Sequence, residues 1–401
     1  MGKIGITGMG IVSAIGNTVE ENLRSLVELK PGISRIENLH TVHKDVIRVG
    51  EIKRTNKELA KYLNLAEDNN FTRTAMLGVI AAREAVENAG ITAMDPWRTG
   101  LVSATSVGGM DTTERYFKEY PGNEAVRRYI LSHDPGDSTH KIADALGIRG
   151  FITTISTACS SAANAIMLGA RLIRSGELDR VIVGGTDALS KFTINGFKTL
   201  MILSDAENTP FDRDRKGLNL GEAAAYLVLE PEAAIKAGNK RVLAYLSGYG
   251  NANDAYHQTA SSENGEGATL AMEKALQVAG LLPGDINYIN VHGTATGNND
   301  LSEGRALINI FGDRVPPFSS TKPFTGHTLA AAGAIEAVYS IFSLQQGLIW
   351  PNLNFRNPMP EFDLLPETTL QKKEIRHVLS NSFGFGGNCS TLIFTAAHDL
   401  H

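Results

Sequence analysis

Cys159, His292 and His327 have the residue types and settings that thioester chemistry needs. Cys159 lies in Thr157-Ala158-Cys159-Ser160-Ser161, between a β-rich run over Phe151–Thr157 and a small-residue helix starting near Ser160. A thiol on a strand-to-helix turn sits at the positive end of a helix dipole, where the thiolate is favoured and the sulfur can be a nucleophile. A lone free cysteine is otherwise a small core hydrophobe. Two histidines in similar turns shift the balance toward chemistry. His292 ends the run Tyr288-Ile289-Asn290-Val291 and leads into Gly293-Thr294-Ala295-Thr296, and His327 closes Ser320-Thr321-Lys322-Pro323-Phe324-Thr325-Gly326. Each alone would read as a satisfied structural histidine. A cysteine and two histidines, each at a strand end beside Gly or Thr, are harder to explain as packing.

Such a set can make a carbon–carbon bond. The thiolate takes an acyl group from a thioester, and two neutral imidazoles donate hydrogen bonds to the carbonyl of a second, carboxylated thioester. The enolate formed when CO2 leaves then attacks the acyl-cysteine. The backbone N–H of Cys159, at the helix start, would form half of an oxyanion hole.

The elements that must hold these residues alternate along the chain. Strand-like runs cover 3–7, 99–104, 151–157, 180–184, 223–230, 242–250 and 288–292, with a terminal pair over 378–395. Helical patterns cover roughly 18–27, 70–89, 160–175, 267–279 and 328–346. That alternation predicts α/β layers. The segment from Gly109 to His140 is polar and reads as irregular, although Tyr116, Phe117, Tyr120, Tyr129, Ile130 and Leu131 argue against a wholly solvated loop. Gly8-Met9-Gly10-Ile11-Val12-Ser13 imitates a dinucleotide-binding turn, but Ser13 stands where the third glycine belongs.

Taken together, the motifs resemble the β-ketoacyl-[acyl-carrier-protein] synthases of the Cys-His-His elongating type, nearly end to end. The resemblance starts at Gly5-Ile6-Thr7-Gly8-Met9-Gly10 and runs through the Thr-Ala-Cys-Ser-Ser turn to the pattern from His292 to Asp300 and Glu303. It continues through Thr321-Lys322 with Gly326-His327 and Ala331-Ala332-Gly333-Ala334-Ile335-Glu336, and ends at Asn381-Ser382-Phe383-Gly384-Phe385-Gly386-Gly387. It implies a duplicated thiolase-like fold in five α-β-α-β-α layers, with a half over 1–240 carrying the cysteine and a half over 241–401 carrying both histidines. It implies that Cys159 accepts the acyl group and that His292 and His327 drive decarboxylation. Lys322 would support His327, with Glu336 as its partner. Thr294 and Thr296 would bind the phosphopantetheine arm, or merely end a strand. Phe385 would be a gate between glycines, its backbone N–H completing the oxyanion hole. Val107 would lie near the floor of the acyl pocket, and Phe383 would line the substrate site mainly as packing.

The resemblance also marks departures. Asn388-Cys389 follows Gly387 where the family usually has Thr-Asn, and Cys389 is either an inert strand residue or a second thiol of the thiolase kind. Gly297 replaces a usual proline, Gly221-Glu222-Ala223-Ala224-Ala225 replaces Gly-Glu-Gly-Ala-Gly, and Thr209 replaces an arginine that many relatives carry. Acyl carrier protein is the implied partner. A homodimer with a contact in the 109–140 region is expected, a heterodimer with a related subunit remains open, and neither a metal nor a cofactor beyond the carrier's own phosphopantetheine is required. Two other readings stand beside this one: a non-catalytic chain-length subunit, which would lack the cysteine, and a thiolase-type acyltransferase.

The composition fits. At 401 residues, 42% hydrophobic and 20% charged, the chain can bury a large core. Two cysteines far apart give no disulfide framework, which points to a reducing compartment, and the cytoplasm is expected. A net charge of −5 offers no nucleic-acid footprint, and no run reaches transmembrane length. The local basic cluster Arg213, Arg215 and Lys216 alternates with Asp212 and Asp214 and reads as a salt-bridged surface.

Overall fold

The β-branched and small-residue runs form ten strands of one hydrogen-bonded sheet. They are β1 (Ile4–Val12), β2 (Thr99–Ala104), β3 (Ile152–Ile155), β4 (Arg180–Asp187), β5 (Ala223–Pro231), β6 (Ala244–Asn253), β7 (Tyr288–Asn290), β8 (Phe318–Ser319), β9 (His377–Gly384) and β10 (Asn388–Thr395). These come from a computed structural model that describes residues 2–94 and 96–397. Across the sheet the order is β3-β2-β4-β5-β1-β6-β10-β9-β7-β8.

Read from either edge, that order is third, second, fourth, fifth, first strand of a half. The pairing senses repeat as well: β2 runs parallel to β3 and β4, and β5 antiparallel to β4 and β1. In the second half β7 runs parallel to β8 and β9, and β10 antiparallel to β9 and β6. The fold is thus an internal duplication of the thiolase-like kind. The halves join edge to edge where Gly5 and Ile6 of β1 pair with Tyr245 and Ala244 of β6, a continuity the sequence did not foretell.

Seven helices matter here: α1 (Arg73–Asn88), α2 (Pro135–Leu146), α3 (Ser161–Arg174), α4 (Lys191–Thr199), α5 (Glu266–Ala279), α6 (Gly297–Phe311) and α7 (Ala332–Gln346). α1 packs on β1 and β5, α5 on β6 and β10, while α3 and α7 each touch strands of both halves. The layers are therefore helix, sheet, helix, sheet, helix. α7 shows why its sequence dictates the middle layer. Every residue from Ala332 to Leu344 is buried, and a helix apolar on all sides can exist in water only when covered on all sides. Its one charged residue, Glu336, needs a partner, which the active-site region supplies.

Several expectations needed correction. β1 runs on to Val12 and absorbs the Gly8-Met9-Gly10 motif. A Cβ at Gly8 would come within 2.2 Å of the Ala85 carbonyl oxygen, and one at Gly10 within 2.1 Å of that of Ala81, so these glycines let α1 lie against the strand. The 109–140 segment is helical rather than irregular, with helices at Met110–Tyr116 and Arg127–Leu131 and the first half of α2. Tyr116 and Tyr129 stack there with ring centroids 4.4 Å apart. α7 starts four residues later than its pattern predicts, because Leu329 adopts φ 53°, which an α-helix cannot continue. Among the described residues no helix is long and apolar enough to cross a membrane.

Candidate active site

The turn carrying Cys159 is backbone-strained. Ala158 sits in the left-handed region at φ 53°, a conformation disfavoured for a residue with a Cβ. It turns the chain sharply so that Cys159 lies one residue before the Ser160 N-cap of α3. Cys159 is buried, and burial pushes its thiol up to about 12 against the opposing pull of Lys322 and of the Phe385 backbone amide. Burial thus works against the thiolate that the helix start favours, and it outweighs the pull of the nearby cation.

His292 is held by a carboxylate. Glu303 on α6 accepts the backbone N–H groups of His292 and Gly293, both at 2.8 Å, and also the Asn381 amide at 3.1 Å. Burial raises the Glu303 carboxyl to about 7 against those hydrogen bonds. Lys322 Nζ stands 3.3 Å from His292 Nδ1, donates to the His292 carbonyl oxygen at 2.5 Å, and pairs with Glu336 Oε1 at 2.5 Å. Lys322 was expected to support His327; its hydrogen bonds go to His292 and Glu336, while its charge also reaches His327. Burial raises the Glu336 carboxyl to about 7, with Lys322 pulling it down. The ammonium is therefore the partner that α7 requires.

His327 takes its orientation from its own turn: the Leu329 backbone N–H donates to His327 Nδ1 at 3.3 Å. The left-handed Leu329 aims that N–H back at the ring. Burial, then the positive charge of Lys322, holds both imidazoles well below the usual histidine range, and His292 also feels His327. Both rings are neutral. With a donor facing each Nδ1, the proton of each ring is placed on Nε2.

Two cavities meet at the cysteine. One, of about 140 Å³, is lined by Cys159, His292, His327, Phe383, Thr294 and Thr296 among others. The hydroxyls of Thr294 and Thr296 lie 2.9 Å apart on this wall, and the Phe383 ring lies 5.8 Å from that of His292. The other cavity, of about 440 Å³, is apolar and lined by Val107, Cys159, Phe192, Phe197, Leu200 and Leu329 among others. Phe385 lines both and stacks on Phe197, centroids 5.9 Å apart. The structure thus gathers Cys159, His292, His327, Thr294, Thr296, Val107, Phe383 and Phe385 around two adjoining cavities that share Cys159 and Phe385, with Lys322 and Glu336 behind His292.

Other placements differ from the sequence reading. Cys389 is buried in β10 opposite Phe383 and Ala252, does not line either cavity, and has its thiol pushed further up by burial. That is an inert strand residue rather than a second reactive thiol. Arg215 is not part of a solvated salt-bridged surface. Its side chain is buried and donates to the carbonyl oxygens of Thr296, Gly297 and Asp212, bracing the loop after His292. Asp187 went unnoticed in the sequence. It accepts from Thr105 Oγ1 at 2.5 Å, Ser106 Oγ at 2.6 Å and the Ala330 backbone N–H at 2.8 Å, joining the Val107 wall to the His327 turn. A carboxylate at the carboxyl end of a strand, in Gly184-Gly185-Thr186-Asp187, was the signal available. Phe197 gave none.

Comparison with known proteins agrees with this geometry. Residues 1–234 match the family model for the β-ketoacyl synthase N-terminal domain and residues 243–356 that for the C-terminal domain. The 3-oxoacyl-[acyl-carrier-protein] synthase 2 of Staphylococcus aureus (strain N315) is 34% identical over 407 residues, covering 98% of each chain. Among solved structures, the ishigamide ketosynthase/chain length factor superposes with a TM-score of 0.91 at 30% identity, over 98% of this chain and 99% of that one. A type II PKS acyl-carrier protein in complex with its ketosynthase gives a TM-score of 0.89 at 26% identity, over 99% of this chain and 100% of that one. On a duplicated fold with the cysteine and both histidines on one cavity, matched across both halves, the chain belongs to the β-ketoacyl synthase family.

Proposed function

We propose that this chain condenses a Cys159-bound acyl group with malonyl-[acyl-carrier-protein], releasing CO2 and 3-oxoacyl-[acyl-carrier-protein], in fatty-acid or related polyketide or polyene synthesis. The observation that carries this reading is the pair of neutral imidazoles, each with Nδ1 occupied, on the cavity that also holds Cys159. In the first half-reaction Cys159 Sγ attacks the acyl thioester, a new C–S bond forms, and the carrier thiol leaves with the proton. In the second, the malonyl C–CO2 bond breaks and its electron pair becomes an enolate. The Nε2–H groups of His292 and His327 stabilise the enolate oxygen. The enolate carbon attacks the acyl-cysteine carbonyl, and collapse expels the Cys159 sulfur, which regains a proton. Only hydrogen-bond donors are required of the histidines, which matches their neutrality.

Thr294 and Thr296 hold the phosphopantetheine arm in this scheme. Val107 bounds the acyl chain, Phe383 packs beside His292, and Phe385 gates between the cavities. Lys322 orients His292, with Glu336 balancing its charge. The carrier brings the phosphopantetheine, so no further cofactor enters the reaction as written. Residues 1–240 and 241–401 serve as the two halves, and the cytoplasm is the setting that two free cysteines suit. The half-buried edge strand β3 and the exposed Phe117, Leu131 and Phe192 support assembly with a second copy or a related subunit. Cys159 disfavours a chain-length subunit, and the inert Cys389 disfavours a thiolase.

The test is reconstitution with acyl-carrier and malonyl-carrier thioesters, following CO2 and the 3-oxoacyl product by mass. Product formation supports the reading; acyl loading without any condensation product overturns it.

A further inference from the structure

We propose that Asn388 is a positioning residue that clamps the Cys159 turn to the Gly384–Gly387 loop and so sets the spacing between the Cys159 and Phe385 backbone N–H groups. The proposal rests on Cys159 being the nucleophile. Three donors converge on the single Oδ1 of Asn388: Ser160 Oγ at 2.7 Å, Asn164 Nδ2 at 2.8 Å and Asn251 Nδ2 at 2.9 Å. Ser160 directly follows the nucleophile. Asn164, one turn into α3, also donates to Thr157 Oγ1 at 2.9 Å, two residues before Cys159. Asn251 anchors the cluster to β6 and bonds Asn164 Oδ1 at 3.1 Å and Ser390 Oγ at 3.0 Å.

The other side of the clamp is the loop. Asn388 immediately follows Gly386 and Gly387, whose φ values of 82° and 80° make them the pivots for any swing of Phe385. The far end of the loop is pinned to the same turn. Gly384 pairs with Asn388 in the β9–β10 register, and a Cβ on Gly384 would lie 2.8 Å from the Thr157 carbonyl oxygen and 3.1 Å from the Cys159 nitrogen. Both loop ends thus bear on the nucleophile turn, one by close backbone approach and one through the Asn388 amide oxygen. A side chain there for packing alone would need volume and no acceptor. A threonine hydroxyl, the usual family residue here, is held one bond closer to the backbone than the Asn388 Oδ1 and does not reach the same three donors.

The experiment measures Cys159 loading by intact mass and CO2 release from malonyl-carrier, side by side. The variants are Asn388→Leu, which keeps volume and removes the acceptor, Ser160→Ala, the double variant, and Asn388→Asp, which keeps the acceptor. N388L is expected to slow loading roughly tenfold, as loss of an aligned hydrogen bond at a reacting centre does, and to lower Tm because three part-buried donors lose their acceptor, with CO2 release per folded protein close to wild type. S160A slows loading as well, and it also removes the Ser160 donation to the Thr157 carbonyl oxygen at 2.8 Å; the double variant loses less than the sum of the two single losses because the Ser160–Asn388 bond is common to both, and N388D loads faster than N388L. Loading by N388L at the wild-type rate, equal loss of both half-reactions, or additive losses in the double variant overturns the clamp while leaving the nucleophile assignment intact. If N388L does not fold, S160A decides alone, and wild-type loading by it overturns the clamp. A wild-type protein that never loads at Cys159 overturns the nucleophile assignment and the clamp with it.

Discussion

His292 and His327 stand edge to face, ring centroids 5.3 Å apart and planes at 86°. Two imidazoles this close cannot both carry charge without repulsion in a buried site, and the structure keeps both neutral. Their Nδ1 atoms face different donors, a lysine ammonium and a backbone N–H, yet the outcome is the same: Nε2–H available on each ring.

Removing either ring should therefore split the half-reactions. His292→Ala and His327→Ala are expected to lower CO2 release by about 10²- to 10³-fold, the scale for losing one preorganised donor to a developing oxyanion, while Cys159 still loads. Rates for the two half-reactions, measured separately on each variant, check this. Equal loss of both would contradict the division of labour.

The pH profiles should differ for the same reason. With both imidazoles held well below their usual range, CO2 release should stay flat from pH 8 down to pH 6, where an ordinary histidine would already be mostly charged. Loading should rise with pH across that span, because a thiol pushed up to about 12 supplies more thiolate at every step. A fall in CO2 release centred near pH 6.5 would show that the rings are not depressed. Stability follows with a definite sign. Below pH 6.5 the unfolded chain takes up protons that the buried rings refuse, so the histidines' share of stability is lost as pH falls.

Lys322→Met should be costly twice over. It strands Glu336 without its cation in the middle of buried α7, which typically costs about 3–5 kcal/mol, and it removes the donor facing His292 Nδ1. Adding Glu336→Leu should recover much of the stability, read by denaturant titration, without recovering CO2 release. Recovery of both would mean that Lys322 serves only the fold.

Val107→Phe should move the best-loaded acyl group to a shorter chain, since it fills part of the apolar cavity of about 440 Å³ next to Cys159. Competition among carrier-bound acyl groups, read by mass, checks it. An unchanged ranking would place the chain elsewhere.

Much of this site could be read from residue types alone, because Cys159, His292 and His327 sit in turns where strand ends and small residues coincide. The duplication could be anticipated only through the family resemblance, since the two halves share topology and not sequence pattern. What escaped was set by tertiary context. The upward push on the Cys159 thiol comes from burial, which the local turn does not reveal. Arg215 belongs to an alternating charged run, and only the fold turns it inward. α4 carries Phe, Thr, Ile, Asn and Gly in nine residues, weak helix formers whose helix depends on packing, on the Ser190 N-cap and on the Glu114 carboxylate accepting the Lys191 and Phe192 backbone N–H groups. Phe197, which stacks on Phe385, lay hidden in that helix.

The most direct test of the account is the intact mass of the protein after incubation with a ladder of acyl-[acyl-carrier-protein] thioesters, with Cys159→Ala as the blank. The account predicts a single acyl increment on the wild type and none on C159A, with the best-loaded chain marking the reach of the apolar cavity. An equal increment on both proteins, or none on the wild type with any acyl length, would contradict it.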